Sequence, residues 1–193
     1  MSKASSAPDR RAEIVAAADR VFYREGFANV GIDRIAAEAD VALATLYRHF
    51  RGRTDLVVSA LGHREQQFFA FLEQSAEGLD GEARVLDLFT ALNAWSERQS
   101  GNGCLFLRAA SAHPHEPAVR AVALAHKRAY LEVVRRRLLE GGWSDAQARQ
   151  LAPSLFLLLE GVVASARVLG DGGAAKEALA MARALLHATP PGR

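Results

Sequence analysis

The chain has 193 residues and a formal net charge of +2, with a sequence pI near 9.0, 50% apolar residues and 24% charged residues. That balance is globular, with enough chain for one or two domains with a core, and it excludes a disordered class. Cys104 is the only cysteine, which excludes an intrachain disulfide and a thiolate metal cluster, and no apolar run reaches the roughly 18 residues of a membrane span.

Three Ile and four Thr stand against abundant Ala, Leu, Glu and Arg, so strand-forming residues are scarce and the chain reads as all-α. Met1 to Pro8 is a Ser/Ala-rich lead without the apolar centre of a signal peptide, so a cytoplasmic protein is expected. A first helix is predicted from Asp9 to Glu25, with Ile14, Ala18, Val21 and Phe22 on one face and Gly26 as its stop. Arg10 and Arg11 at its start, with Lys3 upstream, either serve a DNA backbone or minor groove or belong to an uninvolved tail.

The stretch GFANVGIDRIAAEADVALATLYRHFRGRTD, from Gly26 to Asp55, carries the most information. Ile32, Ile35, Ala36 and Ala39 follow the i, i+3, i+4, i+7 spacing of one helical face over Gly31 to Ala39. Asp40 and Val41 interrupt it, and a second helix from about Ala42 to Phe50 buries Leu46 and Phe50 while leaving a small or polar outer surface. This is a helix-turn-helix whose second helix is slim enough for a DNA major groove about 12 Å wide. Arg48, Arg51 and Arg53 follow with no acidic residue between Tyr47 and Arg53, as phosphate contact requires. Arg53 also begins a third long helix, whose first N–H groups and guanidinium could hold one phosphate together.

These residues resemble the TetR/AcrR family of bacterial transcriptional regulators. The resemblance covers residues 10–61 and rests on Ile14, Ala17, Ala18 and Phe22, then Gly26-Phe27, Ile35-Ala36, Ala39, Val41, Thr45-Leu46-Tyr47, His49-Phe50 and Leu56. It implies a homodimer whose paired N-terminal domains grip a palindromic operator and whose C-terminal helical body binds a small effector. The domains are accordingly expected at 9–55 and 56–190. Several positions depart from the family's pattern: Val30 and Gly31 stand where Thr or Ser is usual, Asp40 for Gly, Ala42 for Ser and Arg53 for Lys. The missing hydroxyls at Gly31 and Ala42 remove two helix caps and two phosphate contacts, whereas Asp tolerates the left-handed turn that Gly normally supplies.

The candidate DNA contacts are Arg10, Gly31, Ala42, Leu43, Ala44, Thr45, Tyr47, Arg48, His49 and Arg53. Ala42, Leu43 and Ala44 offer only apolar contact, suited to the thymine methyl, although Leu43 could instead pack inward. Hydrogen bonding to bases falls to Thr45 and to Arg48, which would read guanine through O6 and N7. Tyr47 resembles the family's phosphate-contacting tyrosine or is half-buried structure, and His49 faces phosphate or caps local packing.

Further along, a long helix is predicted from Arg53 to Ala76, with Leu56, Val57, Leu61, Phe68, Phe69 and Leu72 joining the head to the body. Another carries Val85, Leu88, Phe89, Leu92 and Trp95 up to Arg98, a short one spans Gly103 to Ala112, and Pro117 opens a helix that reaches Glu140. In that last helix Val122, Ala125, Ala129, Val133, Arg136 and Glu140 mix faces, and Arg135, Arg136 and Arg137 read as a solvated surface with a snorkelling arginine. Ser144 to Gln147 is a capping box, after which Pro153 is expected to kink or restart the helix that continues to Leu169. That helix is apolar nearly all round and, with Ala174 to Leu186, resembles the family's dimerisation bundle. Leu155, Leu158, Gly161, Val162, Ser165, Val168, Leu179 and Leu186 are its expected interface.

The family keeps its effector pocket inside the body, which makes Phe68, Phe89, Trp95, Phe106, Arg108, His113, His126 and Glu160 the candidate lining. No cofactor or metal is expected, because His113 and His115 lack a partner cluster. The sequence therefore reads as a ligand-responsive, DNA-binding repressor, not an enzyme. Its partners would be a double-stranded operator, a small molecule and a second copy, with no membrane. The alternatives are a helical small-molecule-binding protein or enzyme that keeps a vestigial helix-turn-helix, and an effector-independent architectural DNA binder. No Ser-His-Asp, metal or phosphate-loop pattern supports catalysis.

Overall fold

The computed structural model describes residues 9–99, 101–169 and 173–192. Among them the chain forms nine helices and no strand: α1 (Arg10–Glu25), α2 (Ile32–Glu38), α3 (Leu43–His49), α4 (Arg53–Ser75), α5 (Gly81–Arg98), α6 (Leu105–Ala112), α7 (Pro117–Glu140), α8 (Asp145–Leu169) and α9 (Gly173–Ala188). None of these helices is long and apolar enough to cross a membrane. Two compact units emerge: the chain up to Glu65 with Leu105–Ala123, and Gln66–Cys104 with Leu124 onward. The division falls within α4 and α7, so the first unit takes in more chain than residues 9–55.

In the first unit α1 starts on Asp9, whose carboxylate accepts the Arg11 N–H at 3.0 Å, and stops at Gly26, which adopts φ 85°. The α2–α3 turn passes through Asp40 at φ 51°, a left-handed conformation that the short polar side chain tolerates. As expected from their side chains, Gly31 and Ala42 begin α2 and α3 without a side-chain cap. What holds these two short helices is burial: Ile14, Ala18, Val21 and Phe22 of α1 share a core with Ile35 and Ala36 of α2, Leu46 and Phe50 beside α3, and Leu56, Val57, Ala60 and Leu61 of α4. A bidentate pair crosses this core, with Arg64 Nε donating to Asp19 Oδ1 at 2.6 Å and Nη2 to Oδ2 at 3.1 Å. The Arg64 guanidinium also lies 4.1 Å from the Tyr23 ring centroid. From α6, Arg108 donates to the Tyr23 carbonyl at 2.9 Å, and His113 stands edge-on to Phe27.

The second unit closes on Leu72, Val85, Leu88, Phe89, Val134, Leu138, Leu155 and Leu159, all fully or almost fully buried, with Trp143, Ala182 and Leu186 at one end. Its details correct the readings of Arg137 and of a restart at Pro153. None of the α7 residues read as mixing faces is buried, and the buried face is Val119, Ala123, His126, Tyr130, Val134 and Arg137. Arg137 does not snorkel to water: it is 0% exposed and donates to the Leu72 carbonyl at 2.7 Å, with Glu73 3.8 Å away, because its place on this stripe turns it inward. Pro153 does not restart α8, which runs unbroken from Asp145 to Leu169. The ring is on the exposed side, while Ala152 just before it and Leu155 two residues after it stay packed in the core. The capping box forms as read, with the Ser144 N–H donating to Gln147 Oε1 at 2.9 Å and the Gln147 N–H to Ser144 Oγ at 3.3 Å.

The Arg64–Asp19 pair makes a prediction. Asp19→Asn leaves a buried guanidinium without its counter-charge and should cost about 3–5 kcal/mol. The double change Arg64→Met, Asp19→Leu should cost far less, as read by urea unfolding of the two variants.

Candidate nucleic-acid interface and aromatic cluster

α3 is seven residues long, too short to persist alone, and only Leu46 within it is buried. Leu46 and the following Phe50 are 0% and 1% exposed and pin the helix to the core. The same geometry turns Leu43 outward at 43% exposure and Tyr47 at 54%, which excludes inward packing of Leu43. Ala42, Ala44, Arg48 and His49 are exposed as well, and Thr45 is half-buried. Arg48 Nη2 donates to Thr45 Oγ1 at 3.0 Å, so the two groups expected to read bases lie together. Beyond the helix Arg51 is exposed, while its backbone N–H donates to Asp55 Oδ2 at 3.1 Å.

Arg10 is exposed and paired with Glu13 at 2.8 Å, and Arg11 donates to Ser59 while lying over the Phe50 ring. Lys3 falls outside the described residues. Gly31 is exposed; the Asp33 carboxylate folds into the space beside it, where a side chain would displace it. Arg53 is engaged within the protein: Nη1 donates to the Val30 carbonyl and Nη2 to the Phe27 carbonyl, with the guanidinium over the Phe22 ring. Its burial pulls the guanidinium pKa down. Arginine in place of the family's lysine thus ties the start of α4 to the loop before α2.

The expected effector residues divide between the units. Phe106, Arg108 and His113 belong to the first, on and just after α6, where the bonds of Arg108 and the ring of His113 face Tyr23 and Phe27. Phe68, Phe89, Trp95, His126 and Glu160 belong to the second. There Phe89 is core, but Phe68 sits at the middle of an aromatic cluster, with ring centroids 5.1 Å from Tyr130, 5.6 Å from Trp95 and 5.9 Å from His126. Phe69 and Phe156 complete it, 5.5 Å from His126 and 5.9 Å from Tyr130. Beside it Lys127 Nζ contacts both oxygens of Glu160 at 2.6 Å and Cys104 Sγ at 3.4 Å. Tyr130, Lys127 and Phe156 are missing from the sequence-based set. The i, i+4 spacing of His126 and Tyr130 was the available signal. Among the described residues, no group of three His, Cys, Asp or Glu side chains is placed to hold a metal ion.

Of the expected dimer contacts, Leu155, Val162 and Leu186 are buried in this chain's own core. Leu158, Ser165 and Leu179 are half-buried, whereas Gly161 and Val168 face outward. Leu157, at 68% exposure, and Ala164 complete an outward stripe on α8 with Gly161 and Val168, and Met181 is exposed on α9.

Comparison with known proteins accords with this geometry. Residues 14–60 match the description of bacterial regulatory proteins of the tetR family. A TetR-family transcriptional regulator from Streptomyces coelicolor superposes with a TM-score of 0.80 at 31% identity, over 93% of this chain and 89% of that one. The chain belongs to the TetR family of transcriptional regulators. TetR-family regulators bind DNA, are not enzymes, and are usually dimeric and responsive to small molecules. The chain is also 25% identical over 162 residues to an uncharacterized HTH-type transcriptional regulator, YxaF, of Bacillus subtilis, covering 81% of this TetR-family chain and 84% of the relative. The multidrug binding protein EbrR, solved with imidazole, has a TM-score of 0.64 at 26% identity, over 93% of this chain and 96% of that one.

The uncapped start of α3 generates a prediction. Ala42→Ser places a hydroxyl where it can accept the N–H of Ala44 or Thr45, and should stabilise the fold by about 1 kcal/mol. A raised denaturation midpoint with an unchanged slope is the expected reading.

Proposed function

We propose that this TetR-family chain is a repressor that binds a palindromic operator as a homodimer and leaves it when a small molecule binds the body. The observation that carries the reading is the exposed face of α3, where Thr45 and Arg48 are joined by a hydrogen bond and flanked by small side chains. Such a surface can enter a major groove, with Arg48 reaching guanine and Leu43 or Ala44 a thymine methyl. Tyr47, His49 and the basic start of α1 are suited to phosphate, which supplies affinity without sequence information. Gly31 and Ala42 bring their backbones to the groove without a hydroxyl, and Arg53 acts through the loop it ties rather than through phosphate.

In this reading residues 9–55 are the DNA-reading head and 56–190 the effector and dimerisation body, and the protein works in the cytoplasm with the DNA. The outward stripe Leu157, Gly161, Ala164 and Val168 follows i, i+4, i+7, i+11 spacing, so one face of α8 is available to a second copy, and Met181 of α9 is exposed as well. Its small residues permit close approach. Two heads so paired would meet half-sites about 34 Å apart or slightly more. The aromatic cluster around Phe68 is the effector site. A ligand that binds better to the form unable to span both half-sites shifts the population away from DNA. The similar protein EbrR, a multidrug binding protein solved with imidazole, supports this part of the reading.

Gel-shift titration with the DNA upstream of its own gene tests the proposal. Wild-type protein should give a discrete dimer complex at near-physiological salt. Arg48→Ala should weaken it by about 1–3 kcal/mol and relax preference at one base pair per half-site. Unchanged affinity and unchanged preference in that variant would contradict the assignment of α3.

A further inference from the structure

The second unit carries an open groove between α5 and α9 that shares no residue with the reading helix or the Phe68 cluster. Its volume is about 550 Å³, within the roughly 300–1,000 Å³ of small-molecule sites. Leu79, Ala83, Leu86 and Leu179 give it an apolar lining, and Glu82 of α5 meets His187 Nε2 of α9 at 3.3 Å. Asp87 belongs to the same wall and is only 8% exposed. Its Oδ1 accepts from Ser75 Oγ at 2.8 Å and from Thr90 Oγ1 at 3.3 Å, whereas Oδ2 is buried and has no hydrogen-bond partner. Arg137 acts on Asp87 through its charge but not through a hydrogen bond. Its Nη2 is spent on the Leu72 carbonyl, and Glu73 at 3.8 Å supplies it with a counter-charge of its own.

A buried carboxylate oxygen without a donor is costly, and a charged donor relieves it best, because charge-assisted hydrogen bonds are the strong ones. The groove's own cation, Arg183, is exposed, where pairing with an incoming anion is worth little. An anion would also enter beside two carboxylates, Glu82 and Asp87. We propose that this groove is a second small-molecule site, which takes a primary amine with a compact apolar body. The ammonium draws Asp87 Oδ2 into a hydrogen bond and uses the Thr90 hydroxyl oxygen as a further acceptor, while the body lies against Leu79, Ala83, Leu86 and Leu179. An uncharged body of the same shape gains the apolar contact alone.

Three probes of similar shape and different charge test this by calorimetry on the full chain: 2-phenylethylamine, 2-phenylethanol and 3-phenylpropanoate. The amine should bind about tenfold or more tighter than the other two, and Asp87→Asn should remove about that advantage. Ala83→Phe, at an exposed helical position, fills the groove without entering the core and should abolish binding, so it carries the test if Asp87→Asn does not fold. Equal or tighter binding of the alcohol or the carboxylate overturns the ligand class. Amine binding that Asp87→Asn leaves intact overturns the assignment of its headgroup, and binding that Ala83→Phe leaves intact overturns the groove. Failure of the amine to bind overturns the proposal, and loss of self-association in Ala83→Phe would then give the groove to a second copy.

Discussion

The burial of two side chains, Leu46 and Phe50, is the constraint on which the rest depends. A seven-residue helix has too few hydrogen bonds to repay the cost of its nucleation, so α3 exists because these residues leave water, at about 1.5–3 kcal/mol each. Neither end of α3 helps through a side-chain cap, since its N-cap is Ala42 and its C-cap is the buried Phe50 itself. The same two anchors fix the rotation of the helix, and rotation is what exposes Leu43, Ala44, Tyr47 and Arg48 as one surface. The stability of α3 and the surface proposed to read DNA thus rest on the same contacts.

Around that helix the head is held by charge buried in the right company. Arg64 satisfies Asp19 through two hydrogen bonds and stacks over Tyr23, and Arg53 spends its donors on the Phe27 and Val30 carbonyls. Lysine at position 53 could not reach two carbonyls in one plane, which gives the departure from the family's residue a structural reason. The Arg108 bond to the Tyr23 carbonyl places the residues around α6 with the head, although α6 follows α5 in sequence.

Much of this was legible in the sequence. Apolar spacing located the helices to within a residue or two, because each long helix has a buried stripe and each break carries Gly, Pro or Asp. The turn at Asp40, the uncapped starts at Gly31 and Ala42 and the Ser144–Gln147 box followed from local chemistry that does not depend on the fold. What the spacing could not reveal was which stripe of α7 faces inward, since Arg137 breaks its apolar character and its compensation comes from Leu72 and Glu73, more than sixty residues away. For a related reason the interface set takes in Leu155 and Val162 of α8, which this chain's own core buries: a helix apolar nearly all round gives no internal sign of which side its own chain covers. Glu160 was legible as the only acid between Ser154 and Leu169, but its partner Lys127, thirty-three residues earlier, was not.

The most direct test of the central claim, that α3 is a sequence-reading surface duplicated by twofold pairing, is selection of bound duplexes from a random DNA pool by the purified chain at near-physiological salt. The account predicts enrichment of an inverted repeat, with half-sites about one helical turn apart or slightly more and a guanine fixed in each. Recovery of unrelated sequences, or of a single unrepeated site held by one copy of the chain, would contradict it.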